Sequence, residues 1–199
     1  IAHVPDGDLF AAIKAGKVSM VTDHIDHFTP EGIKTQSGKV LEADIIVTAT
    51  GFNPSLMGDI PYLVDGAPVD FSKTFTYRGL MNSGVPNMSF IFGYLRTTYT
   101  MRVDIVCDFI CRLINTMDDK GAAVCMPTLA RSDQTMSARP WIDPEEFNPS
   151  YMRRILDRMP RRGDNEPWFF NTNYYVEKDQ LPVVDLDEEA LVYTTKRGP

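Results

Sequence analysis

The sequence predicts an α/β protein, and three observations point there. Two short apolar runs, Ile45-Ile46-Val47 and Met88 to Phe92, lead into glycines at Gly51 and Gly93. Runs of that length and composition suit strands buried on both faces, as found inside parallel sheets. The second is followed by the clearest helical pattern of the chain, with Met101, Ile105, Phe109, Ile110, Leu113 and Met117 on one face. Strand, glycine and helix start, in that order, bring bare backbone and free N–H groups to the carboxyl end of a strand, where open α/β sheets bind ligands.

Taken in chain order, Asp6 or Asp8 is placed to cap a short helix through Leu9, Phe10 and Ile13, which Gly16 ends. "KVSMVTDHIDHF", "GIKTQ" and "KVLEADIIVTAT" follow, separated by turns at Pro30-Glu31-Gly32 and Ser37-Gly38. A β-meander running into the buried parallel strand is the economical interpretation. Residues 52 to 88, rich in Pro, Gly and Asp, read as a long irregular connection of the kind that often carries function. Thr97 or Thr98 is expected to cap the long helix, and Asp118-Asp119-Lys120-Gly121 to close it. Beyond Gly121 the composition shifts to Pro, aromatics and paired charges. There Asn148 and Pro149 suit the N-cap and first position of a helix reaching Met159, with Met152, Ile155, Leu156 and Met159 at helical spacing. The aromatic tail from Pro167 is expected to wrap over a larger body.

The 199 residues are 43% hydrophobic and 24% charged, which suits a globular chain with one or two real cores. Apolar stretches fall short of the roughly 20 residues needed to cross a bilayer, and a soluble, cytoplasmic protein is expected. A net charge of −7 argues against nucleic acid as a partner. The arginines of "MRRILDRMPRRG", residues 152 to 163, are expected to form a solvated or salt-bridged face. Three cysteines cannot all pair, so reduced thiols are expected, with Cys107 and Cys111 sharing a helix face as core thiols. His24 and His27 alternate with Asp23 and Asp26 along a strand, so the two imidazoles point to opposite faces and no metal site is expected.

Chemistry narrows by elimination. Neither a Gly-x-Ser-x-Gly elbow nor a phosphate-binding Walker loop occurs. What remains is Thr50-Gly51, Gly93-Tyr94 and the start of the long helix. A helix N-terminus stabilises a negatively charged ligand oxygen, which suits a phosphate or the N1–C2=O edge of a reduced flavin. Equally, both glycines can simply end strands while Thr98 simply caps a helix.

"ADIIVTATGFNPSL" resembles the Ala-Thr-Gly-Phe/Tyr segment of flavin-dependent monooxygenases built from two dinucleotide-binding domains, a family that includes the Baeyer–Villiger monooxygenases. The similarity extends through "VPDGDLFAAIKAGKVSMVTDHIDHFTPEGI", "NSGVPNMSFIFGYLRTTYTMRVDIVCDFICRLINTMDD" and "PWFFNTNYY", and the chain in particular resembles the mycobacterial type that oxidises ketones and activates thioamide prodrugs. The resemblance implies a partial Rossmann-like fold, with residues 1–46 ending an NADP-binding domain, 47–120 completing an FAD-binding domain and 121–199 forming a C-terminal extension. It implies FAD and NADP as cofactors, Thr50, Gly51 and Phe52 lying near both, and Tyr94, Thr97, Thr98, Tyr99 and Thr100 lying near the flavin. The two Gly-x-Gly-x-x-Gly fingerprints, the Phe-x-Gly-x-x-x-His motif and the active-site arginine of the family are expected upstream of Ile1. Arg78, Arg96 and Arg102 do not match that arginine, so no catalytic residue is assigned. The implied activity is conversion of a small-molecule ketone to an ester or lactone. Oxygenation of nitrogen or sulfur, and a non-catalytic interaction domain, are the alternatives. The chain alone is expected to be inactive and to self-associate through strands that lack neighbours.

Overall fold

The computed structural model describes residues 4–95 and 97–195, so Arg96 lies outside the described residues. The chain divides into two units at Gly51 and Phe52.

In the first unit a turn at Pro5–Gly7 leads into α1 (Asp8–Lys14). Neither Asp6 nor Asp8 caps it as expected. Gly7, in the left-handed region, is the N-cap, and Asp8 is already the first helical residue. Three strands follow, β1 (Ile25–Thr29), β2 (Gly32–Thr35) and β3 (Val40–Glu42), paired antiparallel in that order. The meander is therefore present, with strands shorter than their sequence patterns. Asp23 ties it together at one end by accepting from the N–H of His24 at 2.7 Å and of Ser37 at 3.3 Å. The buried parallel strand is absent. Residues 45–50 have no regular structure, and Ile45 and Val47 are 82% and 84% exposed. A strand satisfies its backbone only through a neighbour, and none among the described residues pairs with this run.

The second unit begins with two-residue ribbons, β4 (Leu63–Val64) with β5 (Ala67–Pro68) and β6 (Thr76–Tyr77) with β7 (Met81–Asn82). Met88 to Phe92 also forms no strand, for the same reason. It has no regular structure, and the Phe90 N–H donates to the Leu80 carbonyl at 2.9 Å. Helix α2 (Met101–Asp119) starts later than expected, with Thr100 rather than Thr97 or Thr98 as N-cap. Its buried stripe is Arg102, Val106, Phe109 and Leu113, rotated by about one residue from the apolar stripe. Ile105, Ile110 and Met117 flank that stripe and are partly buried. Cys107 and Cys111 consequently lie on the outer face, exposed rather than in the core, whereas Cys125 is buried.

From here the chain returns repeatedly to cover α2. β8 (Ala122–Pro127) pairs antiparallel with the distant β11 (Leu191–Thr195), setting Tyr193 opposite Cys125. β9 (Arg139–Pro140) pairs with β10 (Arg161–Arg162), and α3 (Ser150–Arg153) lies between them in sequence. α3 is shorter than expected and is preceded by Pro149, not Asn148, as N-cap. The helix ends at Arg153, and a single turn at Leu156–Arg158 replaces the continuation. Met152, Ile155 and Met159 still reach a common core with Trp141, Ile142 and Phe170. α4 (Tyr174–Gln180) completes the helices. A second core joins Tyr77, Leu80 and Met81 to Val106, Phe109 and Leu113 of α2 and to Trp168, Leu181 and Leu191 of the tail. The tail thus packs against α2, as its aromatic content suggests.

The arginine-rich segment behaves as a paired face. Arg154 donates to the Phe52 carbonyl, Arg158 meets Asp59 at 3.4 Å, Arg161 donates to the Ser72 carbonyl at 3.3 Å, and Arg162 meets Asp143 at 3.1 Å. Among the described residues no helix is long and apolar enough to cross a membrane. None of their His, Cys, Asp and Glu side chains cluster in a way that could hold a metal ion.

Candidate functional site

Thr50 and Gly51 end the first unit, both exposed. Gly51 has φ +92°, which side-chain-bearing residues rarely adopt, and a Cβ there would meet nothing within 4 Å. This glycine is required by backbone conformation, and the space beside it is open.

The other sequence-designated residues belong to the second unit. Phe52 is 70% exposed and sets its ring edge-on to Tyr151 at 5.7 Å. Tyr94, by contrast, is buried, and its hydroxyl donates to Glu177 Oε2 at 2.5 Å. Burial and then the Glu177 carboxylate hold that phenol's pKa above its ordinary value. Thr97, Thr98, Tyr99 and Thr100 form an exposed approach to α2. The carbonyls of Thr98, Tyr99 and Thr100 accept from Met101, Arg102 and Val103 at 3.2, 3.4 and 3.0 Å. The N–H groups of Thr98, Tyr99 and Thr100 have no acceptor among the described residues; they belong to the turn that leads into α2, whose own first three N–H groups are taken by these carbonyls. Thr97 Oγ1 lies 3.8 Å from Met101 Sδ.

Tyr99 folds back on the preceding segment. Its hydroxyl donates to the Ile91 carbonyl at 3.0 Å, and its ring rests on Gly93, where a Cβ would come within 2.4 Å. A side chain at Gly93 would collide with Tyr99, and no strand ends at this glycine. The structure brings Tyr94 and Thr97 to Thr100 onto one loop, while Thr50 and Gly51 belong to the other unit.

Sequence reasoning missed the two residues that organise this loop. Arg102, fully buried in the first turn of α2, forms an ion pair with Glu177 of α4 at 2.7 Å. The signal was an arginine in register with Val106, Phe109 and Leu113 on a stripe otherwise apolar. A second, partly buried cluster joins Tyr77 and Arg78 to Glu188, with Arg78 at 2.9 Å from that carboxylate and 3.0 Å from the exposed Glu166. Next to the loop is an apolar cavity of about 220 Å³ walled by Leu56, Phe90, Phe92, Trp141, Met152 and Met159. The second unit thus offers a helix start with unused donors, a loop clamped from beneath and an apolar recess beside it.

No protein-family model matches the chain. It is 44% identical over 194 residues to the FAD-containing monooxygenase EthA of Mycolicibacterium smegmatis, a match covering 98% of this chain and 38% of that protein. It is 42% identical over 196 residues to the protein of the same name from Mycobacterium tuberculosis, covering 98% and 39%. It is 39% identical over 193 residues to the "Probable FAD-binding monooxygenase AlmA" of Acinetobacter baylyi, covering 97% and 38%. The chain spans less than two fifths of the length of these relatives. Over nearly its whole length, the chain is a homologue of a segment of the FAD-containing monooxygenases.

Proposed function

We propose that this chain is the C-terminal part of an FAD-containing, NADPH-dependent monooxygenase of Baeyer–Villiger type. The observation that carries the reading is 44% identity over 98% of the chain to an FAD-containing monooxygenase. In this reading residues 1–46 end an NADP-binding domain, 47–120 complete an FAD-binding domain and 121–199 form an extension. Residues 45–50 and 88–92, without regular structure here, are then strands of Rossmann-like sheets completed by parts of the protein that this chain does not span.

The residues present fit a flavin. Thr98, Tyr99 and Thr100 offer backbone N–H groups without acceptors among the described residues, and Thr98 and Thr100 add exposed hydroxyls. Such a donor set favours an oxygen that gains negative charge, as on the N1–C2=O edge of a reduced isoalloxazine, with no rearrangement during reaction. Gly51, at positive φ with open space beside it, lets backbone approach the nucleotide. When bound, FAD together with NADPH supplies the oxygen-activating chemistry that converts a ketone to an ester or lactone. This chain's own part is positioning: the α2 start binds and orients, and the cavity at Phe90, Phe92 and Trp141 keeps water from the apolar body of a small ketone.

The test is incubation of the full-length protein with NADPH, oxygen and either a cyclic ketone or a thioether. Lactone formation with NADPH consumption is expected. Sulfoxide without lactone would place the protein with heteroatom oxygenases instead, and no turnover of either would remove the enzymatic reading.

A further inference from the structure

We propose that Glu177, on α4 of the C-terminal region, is a positioning residue that sets the cofactor-facing start of α2 through Arg102 and Tyr94. The proposal rests on the flavin reading above. Its basis is that one buried carboxylate holds both ends of the loop carrying the candidate donors. At the near end Tyr94 donates its hydroxyl to Glu177 Oε2 at 2.5 Å. At the far end Arg102 Nε lies 2.9 Å from Oε2 and 3.1 Å from Oε1, and Nη2 lies 2.7 Å from Oε1. Thr97 to Thr100 lie between these two anchors.

Arg102 extends the clamp to the backbone around it. Nη1 donates to the carbonyls of Gly79 at 3.0 Å and Phe92 at 2.8 Å, and Nη2 donates to that of Arg78 at 2.9 Å. The guanidinium also lies 4.6 Å from the Phe170 ring centroid. Every N–H of the fork is thereby matched, and the five donors of arginine can take only one orientation in such a cage. A buried ion pair is a poor device for stability alone, because desolvation of both charges offsets their attraction and an apolar pair would often serve as well. What it supplies is geometry. The first turn of α2, the segment before Gly93, the turn at Arg78-Gly79 and α4 are held in one fixed relation. Residues from the C-terminal region thus complete the site instead of merely covering it.

The experiment uses the full-length protein and compares Glu177→Gln with Glu188→Gln. The second removes a partly buried carboxylate from Tyr77 and Arg78 in the same unit but leaves the Glu177 contacts to Tyr94 and Arg102 in place. Two quantities are read: amide hydrogen exchange of residues 97–103 in the flavin-free protein, and the dissociation constant for FAD. Glu177→Gln is expected to raise exchange at 97–103 and to weaken FAD binding, each by about tenfold. Glu188→Gln should lower the melting temperature and change neither. If both variants lose thermal stability alike while exchange at 97–103 and FAD affinity match the wild type, Glu177 is only structural and the proposal is overturned. Should Glu177→Gln fail to fold, Arg102→Lys replaces it, keeping the charge but losing the fork, with the same two readouts deciding. If the wild-type protein takes up no FAD, the flavin reading fails, and the exchange measurement alone decides whether Glu177 positions the loop.

Discussion

The ring of Tyr99 packs on the bare Cα of Gly93: a Cβ there would lie 2.4 Å from the ring's Cγ and 2.7 Å from the Tyr99 Cα. The turn ahead of α2 therefore closes only on glycine. Gly93→Ala should cost about 1–3 kcal/mol, the usual range for overpacking, because backbone as well as a side chain must move. Urea unfolding of the two proteins measures this. A loss below about 0.5 kcal/mol, within the range of an ordinary surface substitution, would show that the turn has room the structure does not display.

Gly51 presents the opposite case, a positive φ of 92° with nothing near its missing Cβ. Gly51→Val should cost about 1–2 kcal/mol of backbone strain without any steric clash. In the full-length protein it should also weaken FAD or NADPH handling by about tenfold, because the branched side chain fills the open approach. Cofactor titration and thermal melting separate the two effects. An unchanged cofactor affinity with only the melting temperature lowered would reduce Gly51 to a turn residue.

Thr100, the N-cap of α2, has φ −67° and ψ −22°, a conformation proline adopts without strain. Thr100→Pro removes one first-turn N–H while leaving the Thr100 carbonyl to accept from Val103. The full-length variant should keep its circular dichroism spectrum, show a lowered flavin reduction potential and be reduced more slowly by NADPH. A wild-type potential with FAD still bound would show that this N–H does not face the flavin.

Stability should fall on the alkaline side. Burial pushes the Cys125 thiol up from 9.0 to about 11, and burial followed by a carboxylate partner raises the phenols of Tyr77 and Tyr94. Groups that bind protons more tightly when folded stabilise fully below their unfolded pKa and lose that contribution as pH rises through the folded value. The urea midpoint should therefore hold to about pH 9 and decline toward pH 11. A midpoint constant over that range would contradict these environments.

What the sequence made legible was whatever is local. The β1–β3 meander followed from two turns and alternating patterns, and α2 from a long run at helical spacing. The arginine-rich face and the packing of the aromatic tail were also readable. The two expected strands, at Ile45–Val47 and Met88–Phe92, failed for a non-local reason, since a strand exists only when something pairs with it. The Arg102–Glu177 clamp was invisible because its partners lie 75 residues apart, and because a charged side chain on an apolar helix face looks like a misfit until its carboxylate is seen. That same arginine lies on the buried stripe of α2, whose outer face carries Cys107 and Cys111.

If this chain is part of an FAD enzyme, the full-length protein carries flavin, and its flavin content can be measured. The protein is expressed, purified, denatured to release its cofactor and assayed by absorbance and mass spectrometry. About one FAD per chain is expected, as befits a cofactor that carries the chemistry. Flavin-free protein that also fails to take up added FAD would show that it is no FAD enzyme.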